Sequence, residues 1–209
     1  KQFELDNLKE NTWKEIANEL IKDLNEVIFN KAALYQCLPR SFSSTLLVAL
    51  VSRNQIAYFQ IGDGGIIVQT NKSLIEGANG EKDENLILLS EPQDGFANET
   101  IFVTSELKDE DLQCDIWKGK VKGITLFTDG LEDMIVDQKE VKPRGSFVYP
   151  LLLFAHNADN YEKPHDLLSN FLKSSMIKSR TYDDSTILIA RYLDNSEKND
   201  VEDNGEEVN

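Results

Sequence analysis

After "QCLPRSF", residues 36–42, the spacing of apolar residues changes from helical to strand-like, which restricts the chain to folds that segregate helices from strands. Upstream, Thr12 and Glu15 have the spacing of a capping box, and Ile16, Leu20, Leu24 and Ile28 recur at helical intervals through to Leu34. One face of this predicted helix must be buried. Downstream, "STLLVALVSRNQIAYFQIGDGGIIVQT" predicts strands over 45–51 and 55–61, joined at Arg53-Asn54, and a third over 66–68. An acidic, Gly-rich loop over 76–85 then leads to "NLILLSEP", "ETIFVTSEL" and "GITLFTD", three further predicted strands. Helical spacing returns over 131–136, 147–156 and 165–176, where Leu167, Leu168, Phe171 and Leu172 share a face, and "STILIARYL" closes as a strand. Strands in long runs with helices before and after them predict an α+β fold of antiparallel sheets flanked by helices, not a parallel βαβ fold.

A chain of 209 residues suffices for one domain with a sizeable core. Composition divides it into a domain over 1–193 and an acidic tail over 194–209. That tail, "DNSEKNDVEDNGEEVN", carries seven carboxylates against one Lys and only two valines, so it is expected to be disordered. It contributes -6 of the net charge of -15. Such a balance argues against a nucleic-acid partner, which requires clustered Lys and Arg. No apolar run approaches the roughly 20 residues that cross a bilayer, so no membrane partner is expected. Cys37 and Cys114 fit neither a disulfide framework nor a zinc pattern, and a reducing cytoplasm is the expected setting. Trp13 and Trp117 lack a basic surround and are expected to pack rather than to stack on a ligand.

Three of the apolar strands carry Asp beside a turn. Asp63 lies in "FQIGDGGIIV", Asp129 in "LFTDGLED", and Asp183 and Asp184 lead "RTYDDSTILIA". For each, Asp-Gly or Asp-Ser turn chemistry is a sufficient local explanation. If antiparallel pairing brings these strand ends to one rim, several carboxylates meet. Crowded like charges raise one another's pKa unless a cation neutralises them. Convergent carboxylates point to a hard ion such as Mg²⁺ or Mn²⁺. Two such ions can activate a water for attack on phosphorus.

In order and wording, Gly62-Asp63-Gly64, Thr128-Asp129-Gly130-Leu131-Glu132-Asp133 and Asp183-Asp184-Ser185-Thr186 resemble the motifs of the metal-dependent protein serine/threonine phosphatases of the 2C (PPM) family. "PQDGFANETIFVTSE" is similar to a segment of its bacterial 2C-like subgroup, and the resemblance covers 12–193. It implies a layered sandwich of antiparallel sheets and hydrolysis of phosphomonoesters by an activated water, with no protein nucleophile. It also implies two ions, or three, of Mg²⁺ or Mn²⁺. Asp129 and Asp183 would be ligands, with Asp63 helping a weaker third site. Asp184, Gly130 and Gly62 would support them without touching metal. The implied partners are a phosphorylated protein substrate and an opposing Ser/Thr kinase. Gly64 departs from the usual Ser.

The family also has an Asp-Gly strand end before its first long helix, whose Asp bridges both metals. No residue here matches it; Asp6-Asn7 has no strand before it and no glycine after. The expectation is therefore the remainder of a longer protein whose N-terminal metal-binding strands lie before Lys1, poorly active by itself. The alternative is an inactive regulatory module of the same fold. Other phosphatase chemistries fit badly. Ser43 and Lys120 occupy the sixth position after the cysteines, where a cysteine phosphatase needs Arg, and His156 and His165 lack a metallophosphoesterase context. A phosphate-binding Gly-x4-Gly-Lys-Ser/Thr loop is also missing.

Overall fold

A computed structural model describes residues 5–70, 85–90 and 100–192. The first helix, α1, spans Glu10–Leu34. Strands β1 (Leu46–Val51), β2 (Gln55–Ile61), β3 (Gly65–Gln69), β4 (Leu86–Ser90), β5 (Gln113–Lys118) and β6 (Gly123–Phe127) follow. Next come α2 (Glu132–Ile135), the two-residue strands β7 (Val136–Asp137) and β8 (Lys142–Pro143), and three helices, α3 (Gly145–His156), α4 (Pro164–Leu172) and α5 (Ser175–Lys178). β9 (Ile187–Arg191) ends the described fold.

Two antiparallel sheets, ordered β1-β2-β5 and β4-β3-β6-β9, form the centre. Strand alternation gives each sheet two apolar faces, so four layers result. Ile56 and Tyr58 of β2 meet Ile66 and Val68 of β3 and Ile124 of β6 between the sheets. The opposite face of β2, Ala57, Phe59 and Ile61, packs under Trp13, Ala17 and Ile21 of α1. On the other side, Ile67 and Phe127 are covered by Leu131, Ile135, Val148, Leu152 and Ile177. This is the expected α+β sandwich, with helices outside both sheets. Tyr58 ties the layers, its hydroxyl donating to the Leu89 carbonyl at 2.6 Å. Among the described residues no helix is long and apolar enough to cross a membrane.

Several expectations need correction. The capping box is not formed: α1 begins two residues before Thr12, with Lys9 at the N-cap and no side-chain cap. Leu20 is 47% exposed, because the buried stripe runs through Trp13, Ala17, Ile21 and Ile28. Trp13 sets that register. It is fully buried and its indole N–H donates to the Tyr58 carbonyl at 2.8 Å.

The strand expected in "ETIFVTSEL" does not form over its described residues, which make turns and coil. Val103 is buried there as a plug, joined to the sheet region by one backbone bond to the Ser44 carbonyl at 3.0 Å. The strand beside β2 is instead β5, "QCDIWK", whose mixed polarity suits an edge. The helix expected over 165–176 is broken into α4 and α5, and Leu167 is exposed while Leu168, Phe171 and Leu172 are partly buried. Cys37 and Cys114 are unpaired, Trp13 packs in the core and Trp117 is half-buried. The Gly-rich loop over 76–84, all of "PQDGFANE" and the acidic tail lie outside the described residues.

Candidate metal centre

The geometry of the four acidic residues follows from one rung of the second sheet. Gly65 of β3 is the register partner of Phe127 of β6, and Phe127 is the partner of Ile187 of β9. Direction alternates across the three strands. The start of β3, the end of β6 and the start of β9 therefore share one end of the sheet. Asp63 stands two residues before the rung on β3, Asp129 two beyond it on β6, and Asp183 four before it on β9. Adjacent strands in a sheet are about 5 Å apart, so the three chain exits are neighbours along one rim.

Two local devices hold the rim. At the first, Gly62 and Gly64 have φ of 81° and 102°, a region that suits glycine. A Cβ on Gly64 would lie 2.3 Å from the Phe127 carbonyl oxygen, so the absence of a side chain lets the Asp63 turn rest on the end of β6. Beneath it lies Gln60, fully buried at the end of an apolar strand. Its amide N–H groups donate to the carbonyls of Gly62 (2.9 Å) and Gly64 (3.0 Å), while its Oε1 accepts from Ser90 at 2.6 Å. The Asp63 carboxylate accepts a hydrogen bond from Thr100 Oγ1 at 2.5 Å.

At the second, Thr128 stitches β6 to the lead of β9. Its backbone N–H donates to the Thr186 carbonyl at 3.1 Å, and its Oγ1 accepts from the Thr186 N–H at 3.0 Å. Gly130 is buried against the Asp184 carbonyl, and Ser185 Oγ donates to the Gly130 carbonyl at 3.4 Å. The motifs "TDG" and "DDST" thus form one backbone junction. Sequence reasoning missed Gln60 and Ser90, and gave Thr128 no role beyond its place in the Thr128-Asp129-Gly130 motif. The one available signal was Gln60, a polar residue at the last inward-facing position of a strand that is otherwise apolar there.

The side chains themselves do not close on one point. Among the described residues no group of three or more His, Cys, Asp and Glu is arranged to hold a metal. Asp129 is exposed and turns one oxygen to the Gly130 N–H at 2.8 Å, and Asp183 and Asp184 are exposed. Among the described residues none of the four carboxylates has a Lys or Arg ion-pair partner. Asp183 and Asp184 also face a cleft of about 270 Å³, lined in addition by Lys173, Lys178, Thr181 and Ser185. Hard oxygen donors open to water, with no thiolate or imidazole among them, are the donor set of Mg²⁺ or Mn²⁺.

A family model described as Protein phosphatase 2C matches residues 1–173. The chain belongs to the protein phosphatase 2C family. The match includes the Asp63 and Asp129 motifs and stops before Asp183. One curated relative, Serine/threonine-protein phosphatase 3 of Escherichia coli (strain K12), is 25% identical over 181 residues, covering 86% of this chain and 67% of that protein. Among solved structures, a mutant bacterial serine phosphatase superposes with a TM-score of 0.54 at 16% identity, covering 92% of this chain and 73% of the other. The catalytic domain of serine threonine protein phosphatase PstP in complex with 2 manganese ions gives a TM-score of 0.50 at 16% identity, covering 81% and 67%. These two likenesses establish the protein phosphatase 2C fold.

Proposed function

We propose that this protein is a metal-dependent phosphoprotein phosphatase that hydrolyses phosphoserine and phosphothreonine esters. The observation that carries the proposal is the Gly65–Phe127–Ile187 rung, from which Asp63, Asp129 and Asp183 leave by the same end of the sheet. Family membership and the serine/threonine phosphatase named above support the reaction class. Two unpaired cysteines agree with a reducing, cytoplasmic setting.

In this reading Asp129 and Asp183 hold divalent ions, Mg²⁺ or Mn²⁺, and Asp63 assists a further one. Bound there, such ions supply an activated water and neutralise charge on the phosphoryl oxygens. Few carboxylates suffice where waters complete the shell, as Mg²⁺ prefers. The protein's own contribution is positional. Gln60 fixes the turn that carries Asp63, Thr100 orients that carboxylate, and Thr128 fixes the spacing between the Asp129 and Asp183 segments. The Gly130 N–H, donating to one Asp129 oxygen, holds that carboxylate in place. The substrate is a phosphorylated protein, and its supplier is a Ser/Thr kinase.

The test is hydrolysis of p-nitrophenyl phosphate and of a phosphothreonine peptide by the full-length protein with and without Mn²⁺. Metal-dependent release of phosphate that is lost in Asp129→Asn supports the assignment. Absence of turnover together with absence of divalent-ion binding favours an inactive module of the same fold.

A further inference from the structure

The cleft beside Asp183 and Asp184 has a second lining that the phosphatase reading does not use. Lys173 caps the C-terminus of α4 and Lys178 is the last residue of α5, and both face the cleft along with Thr181 and Ser185. Neither lysine has an ion-pair partner among the described residues. The surrounding segment runs against the chain's overall charge. Residues 163–180 hold Lys163, Lys173, Lys178 and Arg180 against Asp166 alone, a local balance of +3 in a chain of -15.

That contrast has a consequence for an anionic substrate. A protein of this charge repels phosphorylated partners at long range, so approach is favoured only where the local potential reverses sign. The basic segment borders the acidic rim at the cleft. Tyr182 stands fully exposed between Thr181 and Asp183, presenting a ring on which an extended peptide can lie. The ordinary role of a Lys at a helix C-terminus is to complement the helix dipole. That role affects stability and is indifferent to substrate.

We propose that the Lys173–Lys178 cleft is a specificity subsite that receives an anionic side chain flanking the phosphorylated residue of the protein substrate. The proposal rests on the phosphatase reading and adds a preference for substrates that are acidic around the scissile phosphate. The anion is a carboxylate or a second phosphate, both of which suit ammonium groups acting as point charges.

The experiment uses three phosphothreonine peptides that differ only in flanking residues: Glu on both sides, phosphoserine on both sides, or Ala on both sides. Binding of all three by fluorescence anisotropy without added Mn²⁺, so that the phosphoserine flanks are not hydrolysed, and KM for the Glu and Ala peptides with Mn²⁺ are measured for the full-length wild type and for its K173A/K178A double variant, with p-nitrophenyl phosphate as a substrate that has no flank. Wild type should favour a Glu or phosphoserine peptide over the Ala peptide by about 3- to 10-fold, the effect of one or two exposed ion pairs. The double variant should lose that preference while turning over p-nitrophenyl phosphate at the wild-type rate. Whichever of the two anionic peptides gains identifies the source of the charge. Equal affinity of the wild type for all three peptides, or an unchanged preference in the variant, overturns the subsite. Failure of the phosphatase reading is seen separately, as no Mn²⁺-dependent hydrolysis of p-nitrophenyl phosphate by the full-length wild type.

Discussion

The carbonyl oxygen of Asp184 occupies the space beside Gly130 so closely that a Cβ added there would lie 2.6 Å from it. The obstacle is backbone, not the end of a flexible side chain. Gly130→Ala must therefore push the lead of β9 away from the end of β6. We expect it to cost about 1–3 kcal/mol, the usual range for overpacking a tight site. Urea unfolding checks this, and a cost near zero would mean that the two segments are not in contact.

Gln60 governs the turn that carries Asp63. Gln60→Leu retains bulk but removes two donors to carbonyls and the acceptor for Ser90. Leaving buried polar groups unsatisfied costs about 1–3 kcal/mol for each group. A loss of at least about 2 kcal/mol is expected, since three groups lose this partner. Ser90→Ala in the same background should cost less than it does alone, because the hydroxyl has already lost its acceptor. Additive losses in a double-mutant cycle would contradict the network.

Trp13→Phe tests the anchor of α1. The ring remains apolar, but the Tyr58 carbonyl loses its indole donor at 2.8 Å, and a void is left where a fully buried indole was. A decrease of about 1–3 kcal/mol is expected, read as a shift in urea midpoint at constant m-value.

Alkaline pH should weaken the fold in a defined window. Burial, with Asp115 and Cys114 nearby, pushes the Tyr58 hydroxyl from 10.0 up to about 12. Burial also raises the Cys114 thiol from 9.0 to about 11, against a lowering by Lys14. Between the unfolded and folded values the native state retains protons that the unfolded chain has released, so stability falls as pH rises. The loss should begin near pH 9 and deepen between pH 10 and 12. Tyr58→Phe should flatten the part above pH 10. It should also lower stability at pH 8 by about 1 kcal/mol through loss of the bond to Leu89. Urea midpoints from pH 8 to 11 check both effects, and an unaltered alkaline slope in the variant would assign the titration elsewhere.

The contrast between what was and was not legible in the sequence has a physical basis. β1, β2, β3 and β6 were readable because each has an apolar run bounded by a turn, and "IGDGG" announces its own positive-φ glycines. β5 was not readable: an edge strand needs only Ile116 buried, so Gln113 and Asp115 hide its period. "ETIFVTSEL" deceived for the opposite reason, since its apolar residues fill the core from a loop. At the rim, the shared end of the sheet follows from strand direction, which alternation of strands and turns reveals. The Gln60 clamp and the Thr128–Thr186 stitch depend on distances between segments remote in sequence. No local pattern contains them.

The central question is whether the carboxylates at this rim bind a divalent cation. Calorimetric titration of Mn²⁺ into the metal-free wild type, Asp129→Asn and Asp183→Asn, with the melting temperature of each followed in parallel, tests it most directly. Saturable binding by the wild type is expected, with at least about tenfold weaker binding by each variant, the loss that follows when a ligand or its support is removed. The metal-free melting temperatures should remain close to wild type, since replacing one of several exposed carboxylates relieves repulsion. Identical isotherms for all three proteins, or a wild type that takes up no Mn²⁺, would contradict it.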